Sequence, residues 1–96
     1  MRFDWDGRKA TSNLQKHRVG FEDAITAFDD PFALLAPDSK HSATEERRWL
    51  IGESDIGVVV VVFTVRQPGD VYRLITARRA SRKERSRYEE AKRVPL

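Results

Sequence analysis

The sequence predicts an α+β fold: two N-terminal helices, an antiparallel β-meander of about four strands, and a basic C-terminal helix. Three observations predict this class. Apolar residues follow helical spacing in the first third of the chain, whereas alternating or continuous apolar runs typical of strands fill the middle. The last segment begins with a helix-capping sequence. With 96 residues the chain has the size of one domain, residues 1–96.

The N-terminal part of the chain predicts a short strand or arm followed by two helices. Asp6 is a favourable N-cap for a helix over residues 7–18. A second helix begins near Gly20 and ends before Pro31, since the residue preceding a proline is disfavoured in the α region. The apolar residues of this second helix are spaced to share one buried face: Phe21, Ala24, Ile25 and Phe28.

The middle of the chain predicts four strands joined by turns. Their expected ranges are residues 32–37, 47–53, 58–66 and 71–77. The third range is so rich in valine that it is typical of a central strand covered on both faces. A loop is expected over residues 38–44 and a turn at the Pro-Gly-Asp sequence 68–70. In the last strand, alternation places three residues on one face: Tyr72, Leu74 and Thr76.

The C-terminal helix is expected over residues 82–93, with Ser81 and Glu84 at the spacing of a capping box. Residues 78–96 carry eight basic and three acidic side chains, a balance of +5. The whole chain carries +3, so the first 77 residues are mildly acidic. This asymmetry indicates a polyanionic partner such as a nucleic acid, although a solvated surface helix has the same composition.

Composition also excludes several classes of protein. The absence of cysteine rules out a disulfide framework or a thiolate site and predicts a reducing compartment. The N-terminus lacks the apolar region of a signal peptide, and the longest apolar run, residues 56–65, is too short for a membrane span. We therefore expect a soluble, cytoplasmic protein. The two histidines are far apart in the chain, so we expect no metal site. The sequence has no glycine-rich phosphate loop, so we expect no cofactor.

Two groups of polar residues are candidates for function. Four residues of the first helix are spaced to share one direction: Lys9, Asn13, Lys16 and His17. They form either a functional surface or a solvated face on which His17 favours the helix dipole. The second group lies at strand ends and at the start of the last helix, where backbone N–H groups attract anions: Arg66, Arg78, Arg79 and Arg82. These arginines either bind phosphate or form ion pairs with Glu45, Glu46 or Glu89.

A series of segments, in order along nearly the whole chain, resembles the BrnT family of bacterial toxins, which belong to type II toxin–antitoxin systems. The matching segments are Phe3-Asp4-Trp5-Asp6, Lys9, Ser12-Asn13-Leu14-x-Lys16-His17, Val19-x-Phe21-Glu22-Asp23-Ala24, Ala27-Phe28-Asp29-Asp30-Pro31, Glu46-Arg47, Ile75-Thr76-Ala77-Arg78-x-Ala80-Ser81-Arg82-x-Glu84-Arg85 and Tyr88-Glu89. The sequence departs from the family pattern at Arg18, where glycine is usual, and at Gly20, where serine usually caps the second helix. Glycine would suit a left-handed helix end, so Arg18 is expected to reduce local stability and to shift His17.

The resemblance implies a RelE-like ribonuclease fold, RNA cleavage and inhibition of translation. It also implies neutralisation by a cognate BrnA-like antitoxin, with the complex binding its own promoter through the DNA-binding part of that antitoxin. The corresponding hypothesis is metal-independent attack by the RNA 2′-OH. Its catalytic candidates are His17, Arg66 and Arg78, and its RNA-binding candidates are Lys9, Lys16, Arg79, Arg82 and Tyr88.

Two of these assignments have alternatives. Tyr88 either stacks on a base or donates a proton, or it anchors the last helix in the core. The whole chain is either a ribonuclease or a non-catalytic nucleic-acid-binding module that uses the basic helix of residues 78–93. A third interpretation is a structural partner of a DNA-binding protein, with the basic helix docking an acidic antitoxin segment.

Overall fold

The structure, a computed structural model, describes residues 1–41 and 45–93 and confirms the α+β class. Its strands are β1 (Arg2–Asp4), β2 (Leu34–Pro37), β3 (Arg48–Ser54), β4 (Gly57–Arg66) and β5 (Val71–Arg79). Its α-helices are α1 (Gly7–His17), α2 (Phe21–Ala24) and α3 (Arg82–Lys92), with 3₁₀ turns at Ile25–Asp29 and Ser39–His41. Of the expected loop over residues 38–44, residues 42–44 lie outside the described part of the chain.

The five strands form one mixed sheet in the order β1-β5-β4-β3-β2. The strands β2 to β5 are the expected antiparallel meander. The N-terminal segment, expected as a short strand or arm, is a fifth strand, β1, which runs parallel to β5 and makes the sheet mixed. The ring of Phe3 lies 4.9 Å from Phe28 and 5.9 Å from Tyr72, and Asp4 forms an ion pair with Arg73 at 3.1 Å. These side-chain contacts stabilise the pairing of β1 with β5, although β1 has only three residues.

The second predicted helix is shorter than its apolar spacing suggests. Only Phe21–Ala24 is α-helical, and the chain continues as the 3₁₀ turn Ile25–Asp29. The β-branched residues Ile25 and Thr26 have low helix propensity, and the Thr26 hydroxyl donates to the Asp23 carbonyl at 2.6 Å. The predicted buried face is nevertheless present, because Phe21 and Ala24 are buried in the main core.

The sheet has two differently covered faces. Helices α1 and α2 cover one face, where the main core lies, and β4 contributes Val59, Val61 and Phe63 to it. Helix α3 covers part of the opposite face, which we call the α3 face. The α3 face carries Trp49, Ile51, Val60, Val62, Thr76 and Arg78. Only part of this face is buried, because Val60 is covered while Val62 is half-exposed.

A β-bulge in β5 determines which side chains reach the α3 face. Val62 pairs with Thr76 but Phe63 pairs with Leu74, so Ile75 is the extra residue. Simple alternation would place Thr76 on the same face as Leu74, as the sequence predicted. The bulge reverses the alternation: Ala77 enters the main core, while Thr76 and Arg78 turn to the α3 face. This rearrangement gives that face its central arginine.

Helix α3 begins at the predicted capping box. The Ser81 hydroxyl accepts from the Glu84 N–H at 3.2 Å, and Glu84 accepts from the Ser81 N–H at 2.8 Å. Tyr88 packs against Ile51 and Val60 and fixes the helix on the sheet. Among the described residues, no helix is long and apolar enough to cross a membrane.

Candidate functional site

A single buried side chain, Asn13, attaches helix α1 to the edge of β5. Strand β1 pairs with β5 only as far as Arg73, which leaves the backbone edge at Ala77 to another partner. The Asn13 amide takes that place: its Nδ2 donates to the Ala77 carbonyl at 2.8 Å, and its Oδ1 accepts from the Ala77 N–H at 3.0 Å. Nδ2 also donates to the Val19 carbonyl at 3.0 Å. Asn13 therefore continues the strand hydrogen bonding and fixes the rotation of α1.

Three side chains flank Asn13 on the same face of α1. Lys9 precedes Asn13 by four residues, and Lys16 and His17 follow by three and four, so all share its direction. They line a cleft of about 290 Å³ between α1 and the sheet, which we call the α1 cleft. Its lining is Lys9, Ser12, Asn13, Lys16, His17, Arg47, Ile75 and Thr76. No carboxylate is among these residues, so the α1 cleft is cationic and suits an anion.

The end of α1 has a left-handed residue, Arg18, at its C-cap. Arg18 is left-handed, with φ 60 and ψ 30, and its N–H donates to the Leu14 carbonyl at 2.9 Å. Glycine adopts this conformation without the steric cost that a Cβ brings. Gly20 begins α2 without a side-chain cap. His17 is half-buried in the α1 cleft directly before Arg18.

A second concave site, the α3 cleft, lies between α3 and the sheet. It has a volume of about 370 Å³ and is lined by Asp38, Trp49, Ile51, Val60, Val62, Arg78, Glu84 and Arg87. The two clefts are neighbours, because Thr76 of the α1 cleft pairs with Val62, and Val62 pairs with Trp49. Two strand spacings, or about 10 Å, therefore separate Thr76 from Trp49.

Arg78 is held by Glu84 in a two-pronged ion pair. Its Nη1 and Nη2 donate to Oε1 and Oε2 at 2.7 and 2.8 Å. Hydrogen bonding from Arg78, helped by the Ser81 N–H, outweighs burial and lowers the pKa of Glu84 to about 2; the same pair raises the pKa of Arg78. Glu84 thus joins the end of β5 to the cap of α3. The sequence offered Glu45, Glu46 and Glu89 as ion-pair partners for the arginines and missed Glu84.

The other predicted arginines lie away from Arg78. Arg66 forms an ion pair with Glu45 at 3.6 Å, and the strand register places it six residues along β4 from the partner of Arg78, or about 20 Å. Arg79 points to the opposite face and donates to the Ile56 carbonyl at 2.6 Å. Arg82 is exposed in the first turn of α3. One phosphate therefore cannot contact both Arg66 and Arg78.

Tyr88 lies in the core beneath α3. Its side chain is fully buried and its hydroxyl donates to Asp30, which also accepts from the Glu53 and Phe32 N–H groups. Burial and the bond to Asp30 raise the pKa of Tyr88; despite its own burial, Asp30 has a lowered pKa because of these hydrogen bonds. The geometry fits the core-anchor interpretation, since no face of the Tyr88 ring is open to a base.

Two residues that line the clefts were not among the functional candidates predicted from the sequence. Arg47 lines the α1 cleft and Trp49 the α3 cleft, although they are two residues apart along the chain. The sequence indicated Arg47 only through the family resemblance, and Trp49 only as part of the strand expected over residues 47–53. Alternation along β3 places Trp49 on the α3 face, and this alternation is the signal that could have identified it; Arg47 directly precedes the strand. Within the described ranges, no three histidine, aspartate or glutamate side chains cluster as metal ligands do.

Comparison with known proteins identifies a family for this chain. Residues 5–84 match the family model described as "Ribonuclease toxin, BrnT, of type II toxin-antitoxin system". No curated protein matches the chain. The matched range contains α1, the whole β-meander and the Arg78–Glu84 pair, and it therefore includes both clefts except for Arg87. The chain belongs to the BrnT family of ribonuclease toxins.

Proposed function

We propose that this chain is a metal-independent endoribonuclease that cleaves RNA at the α1 cleft and thereby inhibits translation. The observation that supports this most directly is the lining of that cleft. Lys9, Lys16 and Arg47 line this cleft together with His17, and the lining contains no carboxylate. Lysine and arginine side chains in a cleft attract the RNA backbone and stabilise negative charge that builds up on a phosphate.

The proposed reaction needs only groups that RNA and the cleft supply. The 2′-oxygen bonds to the adjacent phosphorus as its proton leaves, and the bond from phosphorus to the 5′-oxygen breaks. The 5′-oxygen takes up a proton, so the products end in a 2′,3′-cyclic phosphate and a 5′-hydroxyl. His17 carries one of these two protons, because an imidazole gains and loses a proton near neutral pH; the other proton exchanges with water.

Arg78 is the second catalytic residue of this proposal. It lies two residues from Thr76 of the α1 cleft, or about 7 Å along the strand, and Glu84 fixes its guanidinium. From there it contacts the scissile phosphate or the one next to it. In this proposal Arg66 and Arg82 bind more distant phosphates, whereas the side chains of Arg79 and Tyr88 form hydrogen bonds with Ile56 and Asp30 instead.

An antitoxin completes the proposed system. Membership of a type II toxin–antitoxin family implies such a partner, and a BrnA-like protein with acidic residues would neutralise the cationic α1 cleft and exclude RNA. We propose that the resulting complex binds its own promoter through the DNA-binding part of that antitoxin.

A cleavage assay in excess EDTA tests the proposed reaction. Purified chain is incubated with labelled single-stranded RNA beside His17→Ala, Arg78→Ala and Arg8→Ala, and circular dichroism verifies that each is folded. Arg8 is an exposed residue of α1 that lines neither cleft, so its replacement removes a charge without touching the site. We expect His17→Ala and Arg78→Ala to lose about 100-fold or more in cleavage rate, and Arg8→Ala to match the unchanged chain.

The end groups and the binding curve separate the alternatives. Cyclic phosphate ends in EDTA support attack by the 2′-OH. Cleavage lost only in Arg78→Ala would retain the ribonuclease and remove His17 from the mechanism. Tight, salt-sensitive RNA binding without cleavage would replace the proposal with a non-catalytic nucleic-acid-binding module.

A further inference from the structure

We propose that the α3 cleft binds one unpaired base of the RNA, stacked on the indole ring of Trp49. This inference rests on the proposed function, since it names how the same RNA strand is held beside the α1 cleft. It adds a base-binding site to the phosphate-binding surface already described.

Trp49 is distinguished from the other aromatic residues by what it contacts. Among the described residues, every other aromatic ring packs against a second ring or beneath the Lys92 ammonium. Trp49 has neither kind of contact, and it is half-buried at the wall of the α3 cleft. A large, partly open π-surface in a concave site is what base stacking requires.

The floor and the charge of the α3 cleft also suit a base. Ile51, Val60 and Val62 form an apolar floor beside the Trp49 ring. The cleft holds two arginines, Arg78 and Arg87, together with two carboxylates, Asp38 and Glu84. Its lining is therefore close to neutral, whereas that of the α1 cleft is cationic. An uncharged aromatic base fits the neutral cleft, and its phosphate fits the cationic one.

The register of the sheet places the two clefts for use by one strand of RNA. Thr76, Val62 and Trp49 form a row across three strands, so the Trp49 wall lies about 10 Å from the α1 cleft. Arg78 lies beside this row on the α3 face. A phosphate in the α1 cleft and a base on Trp49 thus belong to neighbouring parts of the same chain of nucleotides.

Intrinsic fluorescence offers a direct test. The chain contains two tryptophans, and Trp5 packs on Phe21 in the main core, so Trp5→Phe leaves Trp49 as the single reporter. The probe is a short single-stranded DNA oligonucleotide, which lacks the 2′-OH and cannot undergo the proposed cleavage. The matched control is an oligonucleotide of the same length with abasic sites, which keeps the phosphates and lacks the bases.

We expect saturable quenching of Trp49 by the base-containing oligonucleotide and none by the abasic one. A Trp49→Leu variant, followed by the anisotropy of labelled DNA, is expected to bind about 5- to 100-fold more weakly, while Trp49→Phe retains most of the affinity. Equal quenching by the abasic control, or no quenching at saturating DNA, would overturn the base site even if Trp49→Leu does not fold.

The outcomes also distinguish this inference from the proposed function. RNA cleavage by a chain whose Trp49 does not respond to bases would remove the base site and keep the ribonuclease. Base-dependent quenching by a chain that never cleaves RNA would keep the base site and remove the ribonuclease.

Discussion

The ion pair between Arg78 and Glu84 makes the stability of this chain depend on pH in a way that Glu84→Gln isolates. Glutamine keeps a side-chain oxygen that accepts the Ser81 N–H, so the capping box remains, while the negative charge is removed. The difference in free energy of unfolding between the two proteins therefore measures the ion pair and not the helix cap.

The expected size follows from the pKa of Glu84, which is lowered from its ordinary 4.5 to about 2. At 1.36 kcal/mol per unit, this lowering corresponds to at most about 3 kcal/mol. Two effects make the stabilisation by the ion pair smaller than this value. The Arg78 side chain is 42% exposed and screened by water, and the glutamine of the variant still accepts a hydrogen bond from the Ser81 N–H. We expect Glu84→Gln to lose about 1–2 kcal/mol at neutral pH, or about 5–15 °C in Tm.

The sign of the pH dependence is fixed by the direction of the shift. Because the folded-state pKa of Glu84 is lowered, its stabilisation is fully present above pH 4.5 and is lost as the pH falls toward about 2. Urea denaturation across this range should show the gap between the two proteins closing. Asp6 and Asp30 also have lowered pKa values, but they are present in both proteins and cancel. A gap that does not change with pH would refute the ion-pair explanation.

Two further substitutions test the placement of α1 by urea denaturation. Arg18→Gly removes a side chain from a left-handed residue, so we expect a gain of about 1 kcal/mol; an unchanged value would contradict this account of the helix end. In Asn13→Asp, a carboxylate oxygen takes the place of the Nδ2 group that donates to the Ala77 and Val19 carbonyls, and this oxygen cannot donate. We expect the free energy of unfolding to fall by about 3 kcal/mol or more at neutral pH. Burial should raise the pKa of the new carboxyl, so stability recovers in part as the pH falls, whereas Asn13→Ala, with no carboxyl, should show no such recovery.

The parts of the fold that follow from local sequence were predictable. Asp6 caps α1 by accepting from the Arg8 and Lys9 N–H groups, and Ser81 with Glu84 caps α3. Each cap depends on residues two or three positions apart, so the sequence displays the whole interaction. The valine-rich β4 and its two neighbours were predictable for the same reason, because strand periodicity is local.

The remaining features depend on partners distant in the chain. Asn13 forms hydrogen bonds with Ala77, 64 positions away. The helical spacing alone could not distinguish this buried structural role from that of the lysines on the same face of α1. The bulge at Ile75 reversed the expected direction of Thr76 without any proline or glycine to mark it. Strand β1 is three residues long, too short to show alternation. These features decide where the clefts lie, which explains why the sequence indicated cationic chemistry but not its arrangement.

The amide of Asn13 has a consequence for how variants of this chain behave under genetic selection. A selection for cells that survive expression of a toxin recovers any change that removes activity, whatever its cause. Substitutions at Asn13 would rotate or release the helix that carries Lys9, Lys16 and His17, so they should appear beside substitutions at His17. Position 13 would then be scored as catalytic although its amide is buried against β5, and comparing the abundance of each variant with its loss of toxicity would separate the two.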